Sequence, residues 1–342
     1  MTSNPYMTQD ALAKVLKKVP RTPLAYLPTP LEEANNLSKA LGGPKILIKR
    51  DDLTGQALGG NKMRHLEYRL ADALRKGCDT YVYADSKNAG RQTACACAKT
   101  GMKCILVTPP LQKPYQGNML LSVLFGAELR EAGESKEDGI SAAEQIGIEL
   151  AAAGHKPYVA QAEPMFHMSG VISYLNATLE LQKQLAHIGL TKVHIFIVNG
   201  HSQVGLQLGA KILGLPWRIT GIGVGQDFEQ DFPLTGWSQQ CASTLGLPTD
   251  LPASEIETTF DYVETYSVPT KGSVEAINLT ASTEGIVLDP AYSGKSMHGM
   301  VDYITSGKIS PDIPVVFIHT GGIPKLFEHA DEVVYTTDTK YV

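Results

Sequence analysis

Seven short apolar runs, each parted from the next by a stretch of helical period, constrain this chain more than any other feature. The runs fall at residues 45–50, 80–84, 103–108, 127–131, 157–160, 192–198 and 217–223. Between them the spacing of apolar residues predicts helices over 61–76, 90–100, 117–125 and 140–153, from 170 to about 186, and after Gly205. Strands separated by helices of this length do not close hairpins; they pair in parallel through right-handed crossovers. The fold class is therefore α/β with mainly parallel sheets. Lys192-Val-His-Ile-Phe-Ile-Val198 is the most strand-like run. Ahead of the alternation, Ala11, Leu12, Val15, Leu16 and Val19 recur at helical spacing behind a Thr8 to Asp10 cap, which reads as an accessory helix. Pro28-Thr-Pro-Leu31 is expected to open a second helix that ends at Leu41-Gly-Gly.

At 342 residues the chain is long enough for two ordinary domains, although no internal repeat or low-complexity linker marks a boundary. Hydrophobic residues at 43% and charged residues at 19% describe a soluble globular protein. A formal charge of -5 supplies no basic face, so no nucleic-acid partner is expected. The five cysteines (Cys78, Cys95, Cys97, Cys104 and Cys241) include no Cys-x-x-Cys pair. Cys95-Ala-Cys97 has donors for a metal, but on an alanine-rich helix it reads as small apolar packing, and no metal is expected. The N-terminus lacks a signal-peptide pattern and no apolar run approaches the ~20 residues of a membrane span. A cytoplasmic location without a membrane partner is the expectation.

Two strand-to-helix joints carry the chemistry. In Lys49–Tyr68, Gly59 and Gly60 permit dihedrals and close approaches that a side chain forbids, Asn61 is expected to cap the following helix, and Lys62 sits in its first turn. A lysine in a water-poor cleft has a lowered pKa, and its neutral amine is a nucleophile able to form a Schiff base with an aldehyde. The second joint, Asn199-Gly-His-Ser-Gln-Val-Gly205, offers backbone N–H groups and a helix N-terminus as an anion cradle.

Lys49-Arg-Asp-Asp-Leu-Thr-Gly55 with Gly59-Gly-Asn-Lys62, followed in order by Asp289-Pro-Ala-Tyr-Ser-Gly-Lys295 and His319-Thr-Gly-Gly322, resembles the pyridoxal-phosphate enzymes of the tryptophan-synthase-β fold type. Within them it resembles the aminocyclopropane-carboxylate deaminase and D-cysteine desulfhydrase family, over roughly residues 22–330. The resemblance implies a fold type II enzyme of two open twisted α/β domains: a large cofactor-binding domain of residues 1–64 and 168–342 and a small one of 65–167. It places pyridoxal 5'-phosphate in the cleft between them, where open α/β sheets bind ligands, and implies a homodimer.

Carried over residue by residue, the resemblance makes Lys62 the holder of the cofactor aldehyde. Asn199, Gly200, His201, Ser202, Gln203 and Gly205 form the phosphate loop, with Gly200, Ser202 and Gly205 matching the family pattern. Asn88 falls to the ring hydroxyl, and Ser293 and Thr320 to the ring nitrogen. Tyr292 and Tyr266 flank the substrate, Tyr292 as acid/base or leaving-group donor. The family members that open aminocyclopropane-carboxylate carry a glutamate where this chain has Ser293. A neutral hydroxyl leaves the pyridine nitrogen largely unprotonated, which suits β-elimination better than ring opening.

The chain also departs from the pattern. A Gln-Ser-Asn-His run normally precedes Arg-Gln, whereas this chain reads Asp85-Ser-Lys-Asn-Ala-Gly-Arg-Gln92. Counting back from Arg91-Gln92 keeps Asn88 and puts Lys87 in the place of the serine; a local slip makes Ser86 the serine instead. Both alignments stand. Three residues after Lys62 a lysine is usual and here is His65, while the phosphate loop has gained His201, so Lys87, His65 or His201 is expected to compensate the phosphate charge. The chain thus reads as a lyase that eliminates a β substituent from a small amino acid to give pyruvate and ammonia. The rivals are aminocyclopropane-carboxylate deaminase, a β-replacement or cyclising enzyme, and a cofactor-binding protein without turnover.

Overall fold

The computed structural model describes residues 6–111, 113–225, 234–265 and 268–335. The chain divides into two compact units: the larger comprises the N-terminal residues to Lys18, Pro28–Leu53 and the chain from Val171 on, and the smaller comprises Val19–Leu27 and Thr54–Gly170. The expected small segment 65–167 lies within the smaller unit, which also takes in Lys62.

The larger unit opens with α1 (Gln9–Leu16), β1 (Leu31–Glu33), α2 (Asn35–Ala40) and β2 (Ile46–Lys49). The accessory helix is present as read, with the Thr8 hydroxyl accepting from the Ala11 N–H at 3.1 Å. The second helix differs. Residues 31–33 form an edge strand antiparallel to β2, in register Leu31 to Lys49, and the helix begins only at Asn35. The edge of β2 offers unpaired backbone groups, and pairing them outweighs the helix preference of Leu31-Glu-Glu33.

The smaller unit follows with α3 (Lys62–Arg75), β3 (Thr80–Ala84), α4 (Asn88–Thr100), β4 (Lys103–Thr108), α5 (Gly117–Leu124), β5 (Glu128–Glu131), α6 (Lys136–Ala152) and β6 (Pro157–Val159). Its sheet runs β5-β4-β3-β6 with every pairing parallel. The helix expected over 140–153 starts four residues earlier, because Ser135 and Asp138 close a reciprocal capping box. Met63, Leu66, Leu70, Tyr81, Leu106 and Tyr158 bury one face of this sheet, and Val82, Ile105, Val107 and Ile146 the other. Cys97 lies in the first of these cores, as small apolar packing.

Helix α7 (Met165–His187) starts earlier than the expected residue 170 and runs from one unit into the other. The larger unit then continues with β7 (Val193–Val198), α8 (His201–Leu213), β8 (Trp217–Ile222), α9 (Leu234–Leu245), β9 (Thr258–Thr259), α10 (Lys271–Glu284), α11 (Ser293–Thr305), β10 (Val315–Ile318) and α12 (Ala330–Tyr335). Its sheet runs β1-β2-β10-β7-β8-β9, so the last strand among the described residues lies between β2 and β7. All pairings except that of β1 are parallel. The expected α/β class with mainly parallel sheets is thus observed. Among the described residues no helix is long and apolar enough to cross a membrane.

A buried ammonium joins β2 to α7 in the larger unit. Lys49 is 2% exposed; it donates to the Thr29 carbonyl at 2.7 Å, to Gln184 at 2.7 Å, and to Glu180. Removing one partner of a buried pair leaves the other charge uncompensated and costs about 3–5 kcal/mol. Lys49→Met is therefore expected to lower the thermal midpoint by several degrees, while Lys45→Met, at an exposed ion pair, changes it little. Equal shifts in the two variants would show that the Lys49 network is not a buried tie.

Candidate active site

In the smaller unit the chain approaches Lys62 through four consecutive residues of positive φ: Ala57 at 51°, Leu58 at 60°, Gly59 at 71° and Gly60 at 124°. Two of them are not glycine, at a cost on the order of 1–2 kcal/mol each, so the turn must be held from outside. The holding groups come from α4. Arg91 donates to the Gly59 carbonyl at 2.9 Å, and Gln92 Oε1 accepts the Met63 N–H at 2.8 Å. Thr54 adds a hydroxyl bond to the Gly60 carbonyl at 2.9 Å. The expected Asn61 cap is absent: Asn61 is itself in helical conformation with no capping bond, and Gln92 performs that service. A Cβ on Gly60 would lie 2.6 Å from the Gln92 amide nitrogen, which requires a glycine there.

This turn puts Lys62 at the first position of α3. Its pKa is lowered to about 8, chiefly by burial and then by the Arg69 guanidinium, with the Asp85 carboxylate working in the opposite sense. Near pH 7.5 about a quarter of such amines are neutral, against about one in a thousand for an ordinary lysine. Arg69 is itself fixed, donating to Ser169 Oγ at 2.8 Å and to the Phe166 carbonyl at 2.7 Å. His65, the next turn of α3, is fully buried.

The departure at 85–92 has a local explanation. Asp85 Oδ1 accepts the N–H groups of Lys87 and Gly90, both at 2.7 Å, and so closes the N-terminus of α4. A Cβ on Gly90 would meet the Asp85 carbonyl at 2.7 Å, which accounts for the glycine. Ser86 is half-buried, the Lys87 side chain is exposed, and Asn88 is half-buried with Oδ1 accepting from Arg91 at 2.9 Å. That bond leaves the Asn88 NH2 group as the outward donor. Asp85 was missed from the sequence, where its only signal was an acid three residues before a helix start.

In the larger unit, Gly200 holds φ 122° at the head of α8, and a Cβ there would meet nothing within 4 Å. The first-turn N–H groups of a helix lack intrahelical acceptors, so this open face suits an anion. The Asn199 side-chain oxygen is buried without a hydrogen-bond partner among the described residues. The His201 ring stacks on Trp237 of α9 at 3.6 Å and 14°, and Ser202 is buried. Gln203 points elsewhere: it donates to the Glu257 carbonyl and to Thr258 Oγ1, tying α8 to β9. Gly205 serves helix packing, since a Cβ there would lie 2.5 Å from Tyr174 Cβ and from the Val171 carbonyl.

Ser293 and Thr320 part company. Asp289 is wholly buried and accepts the N–H groups of Ala291, Tyr292 and Ser293 together with the Ser293 hydroxyl, the last at 2.6 Å. The Asp289 N–H donates back to Ser293 Oγ at 2.9 Å. The single hydroxyl hydrogen of Ser293 is therefore committed to Asp289. The half-buried Thr320 hydroxyl has no partner among the described residues, and its neighbour His319 is fixed between the Val287 carbonyl and the Gly321 N–H. Tyr292 is half-buried at the start of α11. Tyr266 lies outside the described residues; Lys295, buried and with a pKa lowered by burial, donates to the carbonyl of the preceding Thr265 at 2.7 Å.

Taken unit by unit, the low-pKa lysine and the oriented asparagine amide of the smaller one, and the glycine-headed helix N-terminus of the larger one, are each of a chemical kind that suits pyridoxal phosphate. Residues 22–321 match the family of pyridoxal-phosphate dependent enzymes, and the chain belongs to it. D-cysteine desulfhydrase of Salmonella choleraesuis is 35% identical over 329 residues, covering 93% of this chain and 98% of that one. A crystal structure of an ACC deaminase homologue superposes with a TM-score of 0.85 at 32% identity, covering 95% of this chain and 99% of that one. Threonine deaminase isoform 2 from Solanum lycopersicum shares the fold, with a TM-score of 0.66 at 17% identity over 97% and 90% of the two chains. The chain is a pyridoxal-phosphate-dependent lyase of fold type II, similar to D-cysteine desulfhydrase.

Because the Asp85 charge raises the Lys62 pKa, Asp85→Asn is expected to lower it below the value of about 8. The pH dependence of Lys62 acylation, read by peptide mass spectrometry on the apoenzyme, measures this. A midpoint that stays put or rises would show that Lys62 does not sense Asp85.

Proposed function

We propose that this lyase removes a β substituent from a small amino acid, with D-cysteine the substrate that the name of its relative suggests. Cysteine and water would give pyruvate, ammonia and hydrogen sulfide. The observation that carries this reading is the Ser293–Asp289 pair. The residue after Tyr292 is no acid, its hydroxyl is committed, and the nearby Asp289 carboxylate accepts four donors of its own segment. Thr320 is left as a neutral partner for the ring nitrogen, which favours loss of a leaving group over cyclopropane opening.

When bound, pyridoxal phosphate supplies an electron sink for the bonds at Cα. In this reading Lys62 would hold the aldehyde carbon until the substrate amine takes its place there and, released as a neutral amine, would take the Cα proton on Nζ. The Tyr292 phenol delivers a proton to the departing sulfur. By the family likeness Asn88, oriented by Arg91, would donate its amide to the ring hydroxyl, and the Thr320 hydroxyl would serve the ring nitrogen. Gly200, His201 and Ser202 hold the phosphate, with Asn199 beside them, while Gln203 and Gly205 act through the position of α8. The larger unit thus serves as the phosphate-binding domain and the smaller supplies Lys62. Of the two alignments of the departing loop, we assign the family serine's role to Ser86, because the Lys87 side chain is exposed. A cytoplasmic homodimer completes the reading, supported by the family likeness.

Steady-state assays with D-cysteine, L-cysteine and 1-aminocyclopropane-1-carboxylate decide the reaction. Pyruvate and sulfide from a cysteine are expected; formation of 2-oxobutyrate from the cyclopropane at comparable kcat/KM would overturn the elimination reading. Ser86→Ala is expected to lower kcat/KM at least about tenfold, and Lys87→Ser to change it by about twofold or less. The reverse order would return the role to Lys87. Thr320→Val should shift the visible absorbance of the holoenzyme and lower kcat by about tenfold or more. Ser293→Ala should leave that band in place and reduce stability by about 1–2 kcal/mol through the loss of the Asp289 bonds.

A further inference from the structure

Helix α5 of the smaller unit turns one polar side chain inward. Asn118 stands in its first turn and is 3% exposed. Short polar side chains near a helix start commonly bond the backbone there. Asn118 instead accepts from Nη1 of Arg91, on α4, at 2.5 Å. We propose that Asn118 is a positioning residue for the lyase reaction: it anchors Arg91, and Arg91 in turn holds the Lys62 turn and the Asn88 amide in their working geometry. The proposal rests on the reading above, which gives Asn88 the ring hydroxyl and Lys62 the aldehyde.

Arg91 is fully buried at the end of a long, rotatable stem, so its acceptors do much to place its guanidinium. Nη2 donates to the Gly59 carbonyl at 2.9 Å, and the two hydrogens of Nη1 go to Asn88 Oδ1 at 2.9 Å and to Asn118 Oδ1. Gly59 belongs to the turn that has to be held. That turn needs a hold, because Ala57 and Leu58 sit at φ 51° and 60° without being glycine. Asn88 lies three residues before Arg91 on the same helix and is itself the side chain to be oriented. Asn118 is the acceptor that comes from an element with no other part in the site. Its orientation is fixed, since a guanidinium only donates and the atom that faces it must be the oxygen. With Arg91 at 0% and Asn118 at 3% exposure, water does not readily replace a lost acceptor there. Without Asn118 Oδ1 the guanidinium is free to turn about its stem, and because the fork is planar and rigid, the bonds to Gly59 and to Asn88 move together.

Asn118→Leu, which keeps the size and removes the acceptor, is compared with Asn118→Asp, which keeps an oxygen in its place. In the apoenzyme, hydrogen exchange of the amides of residues 57–63 is expected to quicken at least about tenfold in Asn118→Leu and to stay within about threefold of native in Asn118→Asp. In the holoenzyme, Asn118→Leu is expected to move the visible absorbance band in the same direction as Asn88→Ala does and to lower kcat at least about tenfold. In an Asn88→Ala background, Asn118→Leu is expected to move that band no further, while the faster exchange persists. Asn118→Ala, which adds no bulk, takes the same measurements if Asn118→Leu does not fold. Native exchange and a native band in the folded variant overturn the proposal. So does an equal loss in Asn118→Asp, which marks a packing role only, or a further band shift in the Asn88→Ala background. A native band in Asn88→Ala overturns the reading of Asn88 itself, and the proposal with it. A shift in Asn88→Ala but not in Asn118→Leu leaves that reading standing and sinks the role of Asn118.

Discussion

Parallel registration of β2, β10, β7 and β8 is the constraint on which the larger unit depends. With Ile318 opposite Lys49 and Val198 opposite Ile222, the strands end side by side, and every loop that follows them leaves from one edge of the sheet. Asn199–Gly205, His319–Gly322 and Arg50–Leu53 are the loops so collected. The sheet is continuous only when β10, late in the chain, enters between β2 and β7. The smaller unit repeats the principle: β3 ends at Ala84, opposite Val107 of β4, and releases the Asp85–Lys87 turn into α4.

Both units then hold their reactive turns with side chains rather than with backbone pairing alone. In the smaller unit, Arg91 and Gln92 clamp the Gly59–Met63 turn from about thirty residues away, and one acid, Asp85, closes the head of α4. In the larger unit a single buried carboxylate, Asp289, collects four donors at the head of α11. A carboxylate that accepts several N–H groups is held in one orientation, so the residues it gathers keep one geometry. That rigidity takes Ser293 out of play as a free hydroxyl and leaves Thr320 available.

The electrostatics of Lys62 follow from placement. Removal from water disfavours its ammonium, the fixed Arg69 disfavours it further, and Asp85 restores part of the balance. The opposing charges bring the amine close to neutral pH, where it both holds an appreciable neutral fraction and can carry a proton away. Asp85 therefore acts on the chemistry of Lys62 as well as on the shape of the loop.

The sequence by itself determined the class of the fold, because alternating strand and helix periods admit only parallel crossovers. It also determined the identity of Lys62, Gly200, Asn88, Tyr292 and Thr320 as candidates, because their chemistry is written in short contiguous motifs. Only the tertiary structure decided what the residues in and around each motif contact within its own unit. Gln203 and Gly205 stand in the phosphate motif, yet their contacts are with β9 and α7, which no spacing within the loop reveals. Leu31–Glu33 has helical propensity, yet it pairs with the free edge of β2. The cap of α3 passed from the adjacent Asn61 to the distant Gln92. In each case the deciding partner lies far along the chain, and a hydrogen bond or a close packing contact with it outweighs a local preference of a few tenths of a kcal/mol.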